Sequence, residues 1–230
     1  MYHLLRGLRE YLERKDEFSV IIIGLDGAGK TTLLEQIKKM YTNEPSLDFD
    51  QIHPTVGQNT GTITLSSSVL QFWDLGGQKG IRTIWPRYYD DCHAVVYVID
   101  GEDRDRLNEG WEVFDSVFSA PEILNLPLLL LVNKQDSPFS MSVAEVRHDY
   151  ERWYQRNLNP HHAERSGQEQ AAAQNDASGQ TQQTVRLQEG VRTKRERFAS
   201  MDIMGISAKT GMGVKAAVDW LFIRVQNSRP

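Results

Sequence analysis

The stretch EFSVIIIGLDGAGKTTLLEQIKKMY, residues 17–41, constrains this chain more than any other. EFSVIIIG is a short β-branched run closing on glycine, which predicts a buried strand. KTTLLEQIKKMY, from Lys30 to Tyr41, sets Leu33, Leu34, Ile37 and Tyr41 at helical spacing. Between them GLDGAGKT, Gly24 to Thr31, matches the phosphate-loop pattern in the strand–turn–helix context that the pattern requires. The glycines let backbone N–H groups of Asp26, Gly27, Ala28 and Gly29 turn toward phosphate, and the helix N-terminus adds its positive dipole. Lys30 is expected to reach the outer phosphates. The Thr31 hydroxyl is expected on a Mg²⁺ ion, with Thr32 beside it.

The rest of the chain repeats the alternation of strand and helix. GTITLSSSVLQFWD, Gly61 to Asp74, alternates polar and apolar residues across a serine-rich turn and predicts a hairpin. HAVVYVID and LPLLLLVN are continuous apolar strands, separated by a helix marked by Leu107, Trp111, Phe114, Val117 and Phe118. SVAEVRHDYERWY, FASMDIMGISA and GVKAAVDWLFIRV give a further helix, a last strand and a last helix. The expected class is therefore α/β, a mostly parallel six-stranded sheet with helices on both faces. Residues 155–197 break the pattern. They are rich in Gln, Ser, Asn and charge and hold almost no large apolar residue, so they cannot offset the entropy of ordering. They read as a disordered insertion between domain segments 17–154 and 198–230; alternatively, the basic end extends a helix or contacts lipid. His161 and His162 within it read as solvated rather than as metal ligands.

Three further motifs each follow a strand of their own. In WDLGGQ, Asp74 is placed to hold the Mg²⁺ shell through water, Gly77 to offer its N–H to a third phosphate, and Gln78 to orient an attacking water. In NKQD, the Asp136 carboxylate can accept two hydrogen bonds from the N1–H and exocyclic amine of guanine, a pair of donors that adenine lacks. Asn133 ties that loop to the phosphate loop, and Lys134 lies along the base. In SAK, Ser207 to Lys209, the Ala208 N–H can meet guanine O6. Thr55, in HPTVG, is the candidate hydroxyl that joins the metal when the third phosphate draws its loop inward. Asp136 argues against an ATPase, and a net charge of −5 against a bulk nucleic-acid partner.

GLDGAGKT, PTVG, WDLGGQ, NKQD and SAK together resemble the Arf and Arf-like branch of the small GTPases, over residues 1–154 and 198–226. The double glycine and Trp85 in WDLGGQKGIRTIWPRYY are typical of that branch. MYHLL…KDEFSVIIIGLD and YYDDCHAVVYVID look most like its Arf-related subfamily, which acts at the trans-Golgi. The resemblance implies a P-loop small GTPase fold that binds GTP or GDP with Mg²⁺. It also implies an exchange factor, a GTPase-activating protein and GTP-dependent effectors that read the switch regions. Arfs usually carry Phe where this chain has Gln58. That Phe joins two aromatics, matching Trp73 and Tyr88 here, in the effector patch, so Arf effectors are not assumed. IHPTV offers no arginine in cis, so hydrolysis is expected to be slow until a partner supplies one, worth roughly 10³–10⁵ in rate. Asp26, shared with Arfs, puts a negative charge near phosphate. A GTP-binding scaffold that does not hydrolyse, and an Arf-like protein releasing lipidated cargo, are the alternatives.

Ahead of the domain, residues 1–16 are expected to form an amphipathic helix with Leu4, Leu5, Leu8, Tyr11 and Leu12 on one face. Either it packs permanently on the core or, as in Arfs, it is expelled with GTP while the Gly61–Asp74 hairpin slides in register. Tyr2 stands where a myristoylated glycine would be, and VQNSRP holds no prenylation cysteine. A short helix alone binds membranes reversibly, so resemblance to the subfamily implies N-terminal acetylation and an integral Golgi membrane receptor. No apolar run approaches the roughly 18–20 residues of a span, and the lone cysteine, Cys92, permits no intrachain disulfide. The expected location is cytosol and the cytosolic face of the trans-Golgi.

Overall fold

The computed structural model describes residues 15–43, 47–158 and 200–227. The predicted N-terminal helix and nearly all of the predicted insertion lie outside the described residues. Six strands form one sheet: β1 (Asp16–Ile23), β2 (Gln58–Thr64), β3 (Ser68–Leu75), β4 (Ala94–Asp100), β5 (Leu128–Asn133) and β6 (Met201–Gly205), in the order β2-β3-β1-β4-β5-β6. Every neighbouring pair is parallel except the β2·β3 hairpin. Helices α1 (Lys30–Tyr41) and α4 (Val214–Asn227) cover one face, and α2 (Leu107–Phe118) and α3 (Val143–Leu158) cover the other.

Burial on both faces explains why β1, β4 and β5 read as unbroken apolar runs. Phe18, Val20 and Ile22 of β1 pack with Leu33, Leu34 and Ile37 of α1 and with Val218 and Leu221 of α4. Ile21 and Ile23, on the opposite side, meet Trp111 and Phe114 of α2 and Trp153 of α3. Phe114 touches Tyr97 edge-on at 5.2 Å between ring centroids, and Trp111 stacks on Trp153 at 5.9 Å. Cys92 is buried, and burial pushes its thiol up to about 12, so it behaves as a packed apolar group.

Three local details depart from the pattern-based reading. Strand β2 begins at Gln58, three residues before the expected Gly61, because Gln58 pairs with Leu75 and Gly76 N–H donates to Gly57 O at 2.9 Å. Polar residues at the hairpin's outer end hid that continuation. Gly61 serves packing: a side chain there would meet Leu34 and Lys38 of α1. Helix α3 runs to Leu158, four residues into the stretch read as low in complexity, since Arg156 and Leu158 sustain a helix well.

The sheet's order reverses at β1, with β3 on one side and β4 on the other. In such sheets the crevice beyond the strands' carboxyl ends, at the reversal, is where ligands bind. The glycine-rich turn Gly24–Gly29 fills that position. Gly24 has φ 141°, and a Cβ on it would strike the Val98 carbonyl, so the turn requires glycine there.

Candidate nucleotide-binding site

A cavity of about 370 Å³ opens at this crevice, lined by Asp26, Gly27, Gly29, Lys30, Thr31, Thr32, the 52–55 loop, Gly77 and Gln78. The sequence-predicted phosphate residues therefore come together from three separated segments. Lys30 is only 6% exposed and donates from Nζ to Leu25 O at 2.8 Å. Burial lowers its ammonium to about 8, while the carboxylates of Asp74 and Asp26 oppose the shift.

Beside Lys30, three oxygens converge. Thr31 Oγ1 donates to Asp74 Oδ2 at 2.6 Å and lies 2.8 Å from Thr55 Oγ1, which is 3.3 Å from the same carboxylate oxygen. Asp74 is fully buried and burial raises its pKa, countered by the Thr31 hydrogen bond and by Lys30. Its Oδ1 has no hydrogen-bond partner among the described residues. A buried, unpartnered carboxylate oxygen beside two hydroxyls is a hard-oxygen donor set of the kind Mg²⁺ takes alongside phosphate oxygens. The residues present fit that ion. Thr55 reaches the cluster across 24 residues of sequence. Its loop is tethered farther back by Glu35 of α1, a buried carboxylate that accepts Leu47 N–H at 2.9 Å and pairs with Lys38 at 2.9 Å.

Gly77 is pressed against the phosphate loop, where a Cβ would lie 2.5 Å from each of Asp26 N, Gly24 O and Lys30 Nζ. Trp85, buried in a 3-10 helix at Arg82–Tyr88, donates from Nε1 to Gly76 O at 3.0 Å and pins the double glycine. Gln78 follows, exposed at the cavity edge.

The other motifs assemble next door. Asn133, buried, donates from Nδ2 to Ala28 O at 2.8 Å and accepts Ala208 N–H on Oδ1 at 2.9 Å. It thus joins the phosphate loop to the Ser207–Lys209 loop, a wider tie than the sequence predicts. The Ala208 N–H, read from the sequence as able to meet guanine O6, donates here to Asn133. Lys134, expected along the base, adopts left-handed φ 65° and pairs with Asp100 at 2.6 Å and Glu102 at 3.4 Å. Such backbone in a non-glycine residue is strained and is concentrated at functional sites. Asp136 is exposed, and a hydrogen bond from Ser207 holds its carboxyl below the usual range, with Lys209 and Lys134 adding to the effect.

Sequence reasoning missed a charged cluster behind the phosphate loop. Arg106 of the α2 entry pairs with Asp26 at 2.8 Å and Glu109 at 3.0 Å. Arg82 pairs with Glu109 at 2.9 Å and approaches Asp26 to 3.6 Å. The Asp26 carboxyl is accordingly held below its usual range, chiefly by the Arg106 hydrogen bond. Its charge is answered by arginine rather than left bare toward phosphate. Arg106 and Asp26 are 80 residues apart, so no local pattern announces the pair. On the outer face, Trp73 and Tyr88 rings sit 5.5 Å apart. Exposed Gln58 lies on the same face as Trp73, because Thr60, two residues on, pairs with it.

A doubly wound sheet whose reversal point carries a phosphate loop, a threonine–aspartate oxygen cluster and a carboxylate-bearing base loop defines the small GTPase class. Residues 4–163 match the model of the ADP-ribosylation factor family. ADP-ribosylation factor-like protein 3 of Saccharomyces cerevisiae is 34% identical over 233 residues, covering 100% of this chain and 96% of its own. ADP-ribosylation factor-related protein 1 of Rattus norvegicus is 44% identical over 148 residues, 64% of this chain and 74% of its own. The Arl6 (BBS3) small GTPase of Trypanosoma brucei, solved with the nucleotide analogue GppNp, shares the fold at a TM-score of 0.65. It is 22% identical and matches over 93% of this chain and 99% of its own. The chain belongs to the ADP-ribosylation factor family, an Arf-like small GTPase whose relatives are in general GTP hydrolases.

Proposed function

We propose that this protein is a Mg²⁺-dependent guanine-nucleotide switch that hydrolyses GTP slowly and acts in traffic at the cytosolic face of the Golgi. The observation that carries the switch reading is the Thr31–Thr55–Asp74 cluster with its unpartnered Asp74 oxygen. Thr31, Thr55 and, through water, Asp74 would hold the ion, which neutralises phosphate charge when bound. Lys30 and the backbone of residues 26–29 hold the phosphates. Asp136 selects guanine, Asn133 keeps its loop against the phosphate loop, and Gln78 orients water. Thr55 and Gly77 are the two groups that a third phosphate adds. Their loops, 52–57 and 76–78, thereby become the surface that changes between GDP and GTP.

Slow turnover rests on the absence of arginine from the described 52–56 loop, IHPTV. Arg82, the nearby arginine, is committed to Glu109 and Gly77. An activating protein supplying an arginine, an exchange factor, and effectors reading Val56, Trp73 and Tyr88 complete the cycle; Val56 is 87% exposed. The Golgi location, and an integral membrane receptor for the 1–16 helix, are supported by resemblance to the Arf-related subfamily.

The test is nucleotide binding with and without Mg²⁺, repeated for Asp136→Asn. Loss of GTP and gain of xanthosine triphosphate is expected. Unchanged preference for GTP in the variant would refute the base-recognition assignment.

A further inference from the structure

The cluster behind the phosphate loop joins three elements that the nucleotide reading does not otherwise connect. Arg82 Nε donates to Gly77 O at 2.6 Å, and its Nη2 reaches Glu109 Oε1 on α2 at 2.9 Å and Asp26 Oδ1 at 3.6 Å. Arg106 grips Asp26 twice, at the carboxylate (2.8 Å) and at the backbone carbonyl (3.3 Å), and braces Glu109 at 3.0 Å. Two guanidiniums thus face Asp26 and Glu109, and Arg106 also lies 3.8 Å from Asp103. Arg82 is well shielded, its side chain 14% exposed. Shielding of this kind lets the planar fork hold three partners at fixed angles.

Gly77 has no slack on its inner side, where the phosphate loop crowds it. On its outer side the Arg82 bond fixes the carbonyl. A peptide unit is planar, so fixing the Gly77 carbonyl fixes the N–H of Gln78 in the same plane. It also sets the direction in which the chain carries Gln78 toward the cavity.

We infer that Arg82, clamped by Glu109 and Asp26, is a positioning residue that holds the Gly77–Gln78 segment in the geometry that meets a third phosphate. The inference rests on the nucleotide reading above. Arg82 is not among the residues that line the cavity; it acts through Gly77. On the nucleotide reading Gly77 meets only the third phosphate, so triphosphate binding and hydrolysis draw on the clamp and GDP binding does not. Arg106 has a supporting part, keeping the shared Asp26 in place.

The test compares the full chain, loaded by nucleotide exchange, with Arg82→Ala, Glu109→Gln and Arg82→Lys. Affinities for GDP and for a non-hydrolysable GTP analogue are measured, then single-turnover hydrolysis. Losing a charge-assisted bond at this point should weaken the analogue about tenfold in Arg82→Ala and slow hydrolysis at least as much, with GDP affinity held within about twofold. Glu109→Gln should show a smaller loss of the same sign. Arg82→Lys keeps the charge but not the fork, and should recover little. Arg104→Ala, an exposed arginine paired with Glu145, is the control. Retained GDP binding shows that each variant is folded. Equal loss of GDP and analogue, no loss of either, or full recovery in Arg82→Lys would overturn the clamp while leaving the nucleotide reading intact. A wild-type chain that binds no guanine nucleotide would overturn both.

Discussion

Replacing Asn133 by alanine should cost more stability than its single side chain suggests. The amide satisfies two buried backbone groups at once, the Ala28 carbonyl at 2.8 Å and the Ala208 N–H at 2.9 Å, and Asn133 is 2% exposed. Alanine leaves both groups without a partner. Each unsatisfied buried group costs about 1–3 kcal/mol, so the sum is about 2–6 kcal/mol less any relief from entering water. The assay is urea unfolding of nucleotide-free protein, fitted with a shared slope. A fall of less than about 1 kcal/mol would refute the view that this residue staples two loops, leaving it a contact for nucleotide alone.

Three other outcomes follow from the same geometry. Burial lowers the Lys30 ammonium to about 8. In nucleotide-free protein the penalty for keeping it charged is full below that value and is relieved between about 8 and the unfolded value of 10.5, so this group makes stability rise with pH there. Lys30→Met should flatten that segment of a pH–stability curve. Burial also raises the Asp74 pKa, so the Mg²⁺ dependence of nucleotide retention should weaken as pH falls, from a point above the ordinary carboxylate range; titration of Mg²⁺ against a fluorescent nucleotide reads it. Glu35→Gln should loosen the loop that Glu35 holds through Leu47 N–H, raising hydrogen exchange of the Leu47 amide at least about tenfold. Unchanged exchange would show that the loop is held elsewhere.

Much of this site was legible because its chemistry is local. The phosphate loop, WDLGGQ, NKQD and SAK each lie at a strand's end, and strand ends are marked by hydrophobic runs. Alternation gave the faces, and thus the layers of helices. What escaped were the interactions that cross the fold. Asp26–Arg106 spans 80 residues, and Glu35–Leu47 involves a carboxylate inside an amphipathic helix, where charge normally signals solvent. The start of β2 at Gln58 was hidden for another reason: an edge strand needs only one partner and tolerates polar residues on its outer end. The bond from Ala208 N–H to Asn133 escaped as the cross-fold pairs did, since its two residues lie 75 apart in sequence.

The β3 strand carries a mechanical consequence. Its Leu70 and Phe72 are fully buried in the core under α1 and α4, while Gln71 between them faces the other way. A slip of one residue against β1 would turn Gln71 into that core and both apolar side chains out of it. A slip of two restores every side chain to its own face. Only a change of register by two residues, about 6.6 Å of strand, keeps that core intact. The intermediate one-residue register is closed to β3 by the burial of Leu70 and Phe72.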